Sequence, residues 1–286
     1  MNNNIAFLTT IFPMSKVYLY DFFDSLIKQT YKEFDIVVVN DGYDNFGEIK
    51  EKYNDLNIIE LMYSNTPAKN REHGINYIID NNYDILIFGD SDDYFSNNRV
   101  EKSIELLTIY DIVVNDLSLF NSNSLYSDKY ISNRIKNSTE IDLEFVKDKN
   151  IFGMSNTAIK VKILNKVSFD KDIIAVDWHL FTILLLEGCK AVFTNKIETF
   201  YRQYANNTIG IGTITSESIS RGLSVKLKHY ELLKEKDIQF EKLYNDTVDF
   251  QRLIENDKYI ERIKQINNKN ALWWEDIRFI KDYNEN

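Results

Sequence analysis

Cysteine is nearly absent: Cys189 is the single one in 286 residues. It cannot close an internal disulfide, so a reducing, cytoplasmic compartment is expected. Proline occurs twice and glycine nine times, and no Pro- or Gly-rich linker divides the chain. No apolar run approaches the roughly 20 residues needed to span a bilayer. Residues 1–13 have no basic stretch and too short an apolar run for a secretory signal. Positive charge is in deficit, with a formal charge of −10 and a pI near 5.0. Nucleic-acid binders usually present a basic face, so no nucleic-acid partner is expected. No GxGxxG follows the first apolar strand, and no GxxxxGK[ST] occurs. The dinucleotide fingerprint and the P-loop are thereby excluded.

What is present is ordinary in bulk: 44% hydrophobic and 27% charged residues, as in a soluble globular protein. The length suits one large domain, or one with a smaller appendage. Residues 5–10 (IAFLTT) read as a short strand ending in two hydroxyls. Val17, Tyr20, Phe23 and Ile27 recur at helical spacing. Residues 34–39 form a second β-branched strand, which stops at the turn signal Asn40-Asp41-Gly42. A helix near 48–54, a strand at 57–61 and a helix at 70–80 lead to the apolar run Ile85-Leu86-Ile87-Phe88. Four strands alternating with helices predict a parallel, doubly wound sheet.

The fourth strand breaks off at Asp90, Asp92 and Asp93, three carboxylates within four positions. They would sit at the carboxyl edge of an open sheet, where ligands bind. Like charges this close need a partner, and a hydrated divalent cation supplies one. A solvated acidic turn is the plain alternative.

Downstream, the pattern predicts a helix over 99–107, a strand over 111–120 and a polar, mobile excursion over 121–139. A short helix at 142–147, an extended piece at 152–159 and a helical turn at 163–167 follow. Residues 177–187 form an apolar helix with Gly188 as its C-terminal cap. Residues 191–193 and 198–202 are strand-like. Beyond about residue 213, charged helical segments at 218–234, 239–255 and 260–266 make an appendage.

In this order, the strand ends resemble the family 2 glycosyltransferases, nucleotide-sugar enzymes of GT-A fold. The resemblance covers about residues 4–210. Thr9-Thr10-Ile11 stands where the family's first strand ends, although Ile11 replaces the usual aromatic. Asn40-Asp41-Gly42-Tyr43 matches the second strand's Asp-Gly-Ser. Asn70-Arg71-Glu72-His73-Gly74 matches the Ala-Arg-Asn-x-Gly helix, with Glu72 in place of Asn. Asp90-Ser91-Asp92-Asp93 matches the metal motif Asp-x-Asp-Asp. Val176-Asp177 matches a Glu-Asp pair before an apolar helix, and Tyr201-Arg202 with Asn206-Asn207-Thr208 matches the tail motif.

The resemblance implies an α/β GT-A fold over 1–212, with a nucleotide half (about 1–120), an acceptor half (about 121–212) and a helical extension (213–286). It implies inverting, metal-dependent hexosyl transfer from a nucleotide sugar, UDP-linked above all, to an acceptor hydroxyl. Mn²⁺ or Mg²⁺ would sit on Asp92 with help from Asp90, which otherwise faces the ribose. The Ser91 backbone would touch the nucleotide. Asp41 would accept a base imide N–H, and Thr9 would hydrogen-bond the base. Arg71 would hold diphosphate or base oxygens through its planar fork. Asp177 would be the general base. The bland counterparts are a turn residue for Asp41, an ion pair to Glu72 or the acidic cluster for Arg71, and an N-cap for Asp177. Tyr201 and Arg202 would clamp the diphosphate through residues 204–211, or pack on the core. Trp178 would stack on a sugar or simply pack, and His179 would reach the metal or sit in structure.

The implied partners are a nucleotide-sugar donor and a glycan or lipid-linked acceptor, in bacterial surface polysaccharide or glycoconjugate synthesis. The aromatic segment 271–280 would dock on the main domain. Its alternatives are a homodimer through the C-terminal helices and peripheral contact with the inner face of the membrane. Two rival functions remain at this stage, a nucleotidyltransferase and a non-catalytic sugar-nucleotide binder. The absence of a Gly-rich basic loop after the first strand opposes the first. The retained Asp177 opposes the second.

Overall fold

The computed structural model describes residues 4–121, 124–203, 215–254, 260–261, 263 and 271–277. β1 (Ile5–Ile11), α1 (Lys16–Ile27), β2 (Asp35–Asn40), α2 (Phe46–Lys52), β3 (Asn57–Met62), α3 (Pro67–Asp80) and β4 (Ile85–Phe88) alternate along the chain. There follow β5 (Tyr94–Phe95), α4 (Arg99–Leu107), β6 (Ile112–Phe120), β7 (Leu125–Ser127), β8 (Glu140–Ile141), α5 (Leu143–Val146), β9 (Thr157–Lys160), α6 (Val176–Leu186) and β10 (Ala191–Arg202). The last elements are α7 (Ser216–Leu233) and α8 (Ile238–Leu253).

One sheet runs through the molecule in the order β3-β2-β1-β4-β9-β6-β10-β5, with β7 beside β6 and β8 beside β10. β3, β2, β1 and β4 are mutually parallel, as the sequence predicts, and β6 and β10 are also parallel. β9 enters antiparallel to both β4 and β6 and joins the two halves.

Strand alternation explains the two faces of the core. Ala6 and Leu8, Val37 and Val39, and Leu86 and Phe88 enter the cluster that α3 and α6 cover. The intervening Ile5 and Phe7, Ile36 and Val38, and Ile85 and Ile87 enter the opposite cluster, under α1, α2 and α4. Both faces of these strands are covered, so they read as continuous apolar runs. The connections reverse between β1 and β4, and a ligand crevice opens at such a switch point. Two glycines make close approaches there. A Cβ on Gly74 would lie 2.7 Å from Leu8, where α3 presses on β1. A Cβ on Gly89 would lie 2.3 Å from the Phe7 ring, just before the acidic turn.

Several elements depart from the sequence reading. The two strand pieces expected at 191–193 and 198–202 are one strand, β10, with a register shift between Thr194 and Glu198. The two-residue strand β5 carried no pattern long enough to read. The turn expected at 163–167 lies earlier, as a 3-10 turn at Val161–Ile163. The extended stretch 152–159 becomes strand only from Thr157. The excursion 121–139 is not simply a surface loop: Tyr130, Ile131 and Ile135 are buried in the main core. Asp177 is not an N-cap, because α6 starts at Val176 with Ala175 capping it. Gly188 does close α6, at φ +86°, with its N–H donating to Leu185 O.

The C-terminal elements dock on the sheet domain. Val225, Tyr230 and Leu233 of α7 and Phe240 of α8 pack on Trp178 and Ala175. Tyr130 Oη donates to Ala271 O at 2.6 Å, and Asn150 N to Trp273 O at 2.9 Å. Arg134 and Glu275 form an ion pair. Most of the expected helix at 260–266 lies outside the described residues, as do 204–211 and 278–280. No helix among the described residues is long and apolar enough to cross a membrane.

Candidate active site

A cleft of about 740 Å³ opens at the carboxyl ends of β1, β2 and β4. Its walls carry Asp41, Arg71, Asp90, Ser91, Asp92 and Asp177, six of the seven residues singled out by sequence. The seventh, Thr9, is 2% exposed inside β1 with an unpartnered hydroxyl, and Thr10 lines the cleft in its place. Successive strand residues point to opposite faces, so a one-residue difference decides which hydroxyl is available.

The acidic turn is built by contacts from distant segments. Asp93 N donates to Asp90 O at 3.1 Å and closes the turn. Asp93 itself is fully buried. Its carboxylate accepts from Ser155 Oγ at 2.5 Å and from Arg202 N at 2.8 Å. Burial, then the charges of Asp92 and Asp90, hold its pKa well above the usual carboxylate range. Asp93 therefore anchors the turn from inside, and Asp90 and Asp92 face the cleft. Ser91 Oγ donates to Thr10 O at 2.8 Å, which ties the turn to the end of β1.

Below the turn lies Arg99, fully buried at the start of α4. Its guanidinium donates to Phe88 O at 2.9 Å, Ser155 O at 3.0 Å, Asn115 Oδ1 at 2.5 Å and Thr199 Oγ1 at 2.6 Å. Burial lowers its pKa to about 9, with Asp93 acting the other way, so it stays charged at neutral pH. Arg202 clasps the other side. Its Nε donates to Asp92 O at 2.8 Å and its Nη2 to Asp21 at 2.5 Å. It also lies over the rings of Tyr18 and Phe120. The sequence reading left Arg202 either on the diphosphate or packed on the core. In the structure it is 7% exposed and committed to the turn, and Tyr201 alone of that pair lines the cleft.

Arg71 reaches from α3 to Asp90, Nη2 to Oδ1, at 3.2 Å. Glu72 is taken by Lys69 and by Phe169 N, so Arg71 is turned to the acidic turn rather than to its neighbour. Asp41 is held by Ser64 Oγ at 2.5 Å and Asn70 Nδ2 at 2.8 Å. Sequence reasoning gave Asn70 no task, although it lay in the quoted motif. It is 1% exposed, and its Oδ1 has no partner.

Asp177 enters from the opposite wall, in the first turn of α6. Its Oδ1 accepts from Trp178 N at 2.8 Å. Burial raises its pKa to about 6, Asp90 adds to the rise, and Trp178 N–H and Arg71 oppose it. It is thus ionised at pH 7 and basic enough to accept a proton. Trp178 does not face the cleft: it is fully buried, stacked on His229 at 3.8 Å, with its indole N–H on Val146 O. His179 is half-buried beside them, outside the cleft lining, and burial lowers its pKa to about 4.

Among the described residues no three His, Cys, Asp or Glu side chains gather into a metal cage. Two cleft carboxylates on one rigid turn still suit Mg²⁺ or Mn²⁺, which takes one or two carboxylates and completes its shell from substrate phosphates and water. The donor set fits a cation that arrives with a diphosphate.

Comparisons with known proteins give the family and the fold. The profile described as glycosyl transferase family 2 matches residues 14–168. The Streptococcus pneumoniae serotype 4 protein named glycosyltransferase GlyA is 28% identical over 213 residues, 68% of this chain and 30% of its own length. The chain thus spans under a third of that relative. The crystal structure of S. aureus TarS 1-349 in complex with UDP-GlcNAc superposes with a TM-score of 0.61 at 15% identity, covering 92% of this chain and 76% of that one. A mannosyltransferase from Pyrobaculum calidifontis, in complex with GDP-Man and Mn²⁺, gives 0.60 at 13% identity, covering 93% and 74%. The two structures show the fold, which is that of the GT-A glycosyltransferases.

Proposed function

We propose, from the premise that this chain belongs to glycosyl transferase family 2, that it moves a hexosyl unit from a UDP-sugar to an acceptor hydroxyl with inversion. The observation that carries the reading is one cleft holding the Arg71–Asp90 pair, Asp92 and, within their electrostatic reach, Asp177. Two relatives support the donor class, one solved with UDP-GlcNAc and one with GDP-Man.

Each residue then has one task. Asp41, oriented by Ser64 and Asn70, accepts the base imide N–H, which favours uracil. Arg71 takes diphosphate oxygens through its fork. Asp90 faces the ribose, and the Ser91 backbone supports the nucleotide. Asp92, assisted by Asp90, would hold Mn²⁺ or Mg²⁺. When bound, that cation supplies Lewis-acid neutralisation of charge on the diphosphate. Asp177 accepts the acceptor's hydroxyl proton. The acceptor oxygen bonds to the anomeric carbon from the face opposite the diphosphate, and the carbon–oxygen bond to phosphate breaks to release UDP. The acceptor is a glycan or lipid-linked glycan of bacterial surface assembly. A cytoplasmic enzyme working at the inner membrane face fits the single cysteine.

A hydrolysis and transfer panel of UDP-, GDP-, dTDP- and CMP-sugars tests the reading, with Mn²⁺ or with EDTA. UDP-sugars are expected to turn over, and EDTA or Asp92→Ala to abolish it. Turnover confined to another nucleotide refutes the donor, and UDP binding indifferent to EDTA and to Asp92→Ala refutes the metal role. Metal-dependent transfer with no nucleotidyl product excludes both rival functions.

A further inference from the structure

Charge is sorted within the cleft. Asp41, Asp90, Asp92 and Asp177 make the donor side and floor acidic, offset there by Arg71. The wall formed by the loop before α6 and by α7 is different. It presents Lys171 and Arg221, both exposed and both lining the cleft. Among the described residues neither forms an ion pair or hydrogen bond. Of the acids in that loop, Asp170 is consumed by Lys228 at 2.8 Å, and only Asp172 remains at the cleft. Among the residues that line the cleft, Lys171 and Arg221 against Asp172 leave this wall one positive charge in excess, in a protein of net charge −10.

The wall is also fixed in place. Arg221 and Lys228 are seven residues apart on α7, two turns along one face, about 10.5 Å in rise. The Lys228–Asp170 pair therefore pins the loop that carries Lys171 to the helix face that carries Arg221. Trp273, half-buried and with its ring centre 6.1 Å from that of Tyr201, lines the same cleft. In the proposed reading the donor's diphosphate is already met by Arg71 and the acidic turn, so these cations are left for a second anionic group.

We propose that Lys171 and Arg221 bind a phosphate carried by the acceptor, so the enzyme glycosylates a phosphorylated sugar or a sugar joined to a phosphate-bearing carrier. Phosphate suits an arginine fork beside a lysine point charge. The inference rests on the glycosyltransferase reading and names the acceptor class for that site.

Ligand-observed NMR on the protein loaded with UDP and Mn²⁺ tests it, so that the donor side is filled. The probes are glucose 1-phosphate, methyl glucoside and methyl glucuronoside. Glucose 1-phosphate is expected to bind at least tenfold tighter than methyl glucoside. Lys171→Ala/Arg221→Ala should bring the two to parity, with UDP affinity within twofold of wild type, which also shows that the variant is folded. Arg221→Lys should keep part of the preference. Parity in the wild type overturns the proposal. So does a fall in UDP affinity in the double variant, which would assign the cations to the donor. Methyl glucuronoside binding as well as the phosphate overturns the choice of phosphate. A wild type that binds no UDP refutes the donor reading instead, and the same probes in nucleotide-free protein still decide on the wall.

Discussion

Asp177 is a half-buried carboxylate that must be charged to work. Its pKa of about 6 lies above the usual 3.8, so the native state holds its proton more tightly than the unfolded chain does. Stability is therefore lost as pH rises from about 4 to about 6, and the loss persists above that. Asp177→Asn removes the charge and keeps the oxygen that accepts from Trp178 N. Transfer should fall at least about 100-fold, the usual share of a general base, with UDP affinity unchanged. The same variant should be more stable at pH 7 by about 1–3 kcal/mol, from the size of the shift. The gain should vanish below pH 4. Chemical denaturation at pH 7 and pH 3.5 checks this, and an equal effect at both pH values refutes it. In the wild type, kcat should rise with pH along an acid limb near pH 6. A bound cation beside Asp90 can only draw that limb downward. A flat profile between pH 5 and 8 would remove Asp177 as the base.

At the scale of the element, the acidic turn depends on partners far from it in sequence. Arg202 holds Asp92 O and Asp21, and its backbone N–H holds Asp93. Arg202→Ala should cost about 3 kcal/mol by stripping a buried charge-assisted network. It should also weaken Mn²⁺-dependent UDP binding at least tenfold, measured by calorimetry on the folded fraction. Unaltered metal dependence would show that the turn holds its shape alone. These supports mark the limit of what the sequence made legible. Asp41, Asp90 and Asp92 could be placed because strand ends are written locally, as apolar runs cut off by turn residues or carboxylates, whereas Arg71 on α3 and Asp177 on α6 were reached only through the family resemblance. Thr9 and Thr10 could not be told apart, since a strand buried on both faces carries no alternation to set its pleat. Arg99 gave no signal: an arginine at a helix start is ordinarily solvated, and its partners Ser155 and Thr199 lie 56 and 100 residues away. The choice between the two places open to Arg202, the diphosphate and the core, could not be made for the same reason, because Asp21 lies 181 residues off.

Across the whole molecule, the sequence boundary near residue 213 marks a change of composition, and the packing runs straight over it. Trp178 on α6 is fully buried because His229, Tyr230 and Phe240 cover it. Gly222 of α7 lies so close to Ile277 that a Cβ there would come within 2.5 Å. Arg221 and Trp273 complete the cleft wall from beyond the boundary. The C-terminal extension is therefore expected to fold with the sheet domain rather than beside it. Calorimetry of the full chain should show one unfolding transition. A chain cut after residue 212 would expose Trp178, Ala175 and the neighbouring apolar surface. Loss of a large buried aromatic contact costs about 3–5 kcal/mol on its own, a large part of a typical domain's stability. The truncated chain should aggregate or melt far below the full one, and Trp178→Ala in the full chain should lower Tm in a single step. Two separate transitions in the full chain, or a stable truncated chain that still binds UDP, would show instead that 213–286 is an independent unit. That outcome would also free Arg221 from a fixed place in the wall, so the folding experiment bears directly on the choice of acceptor.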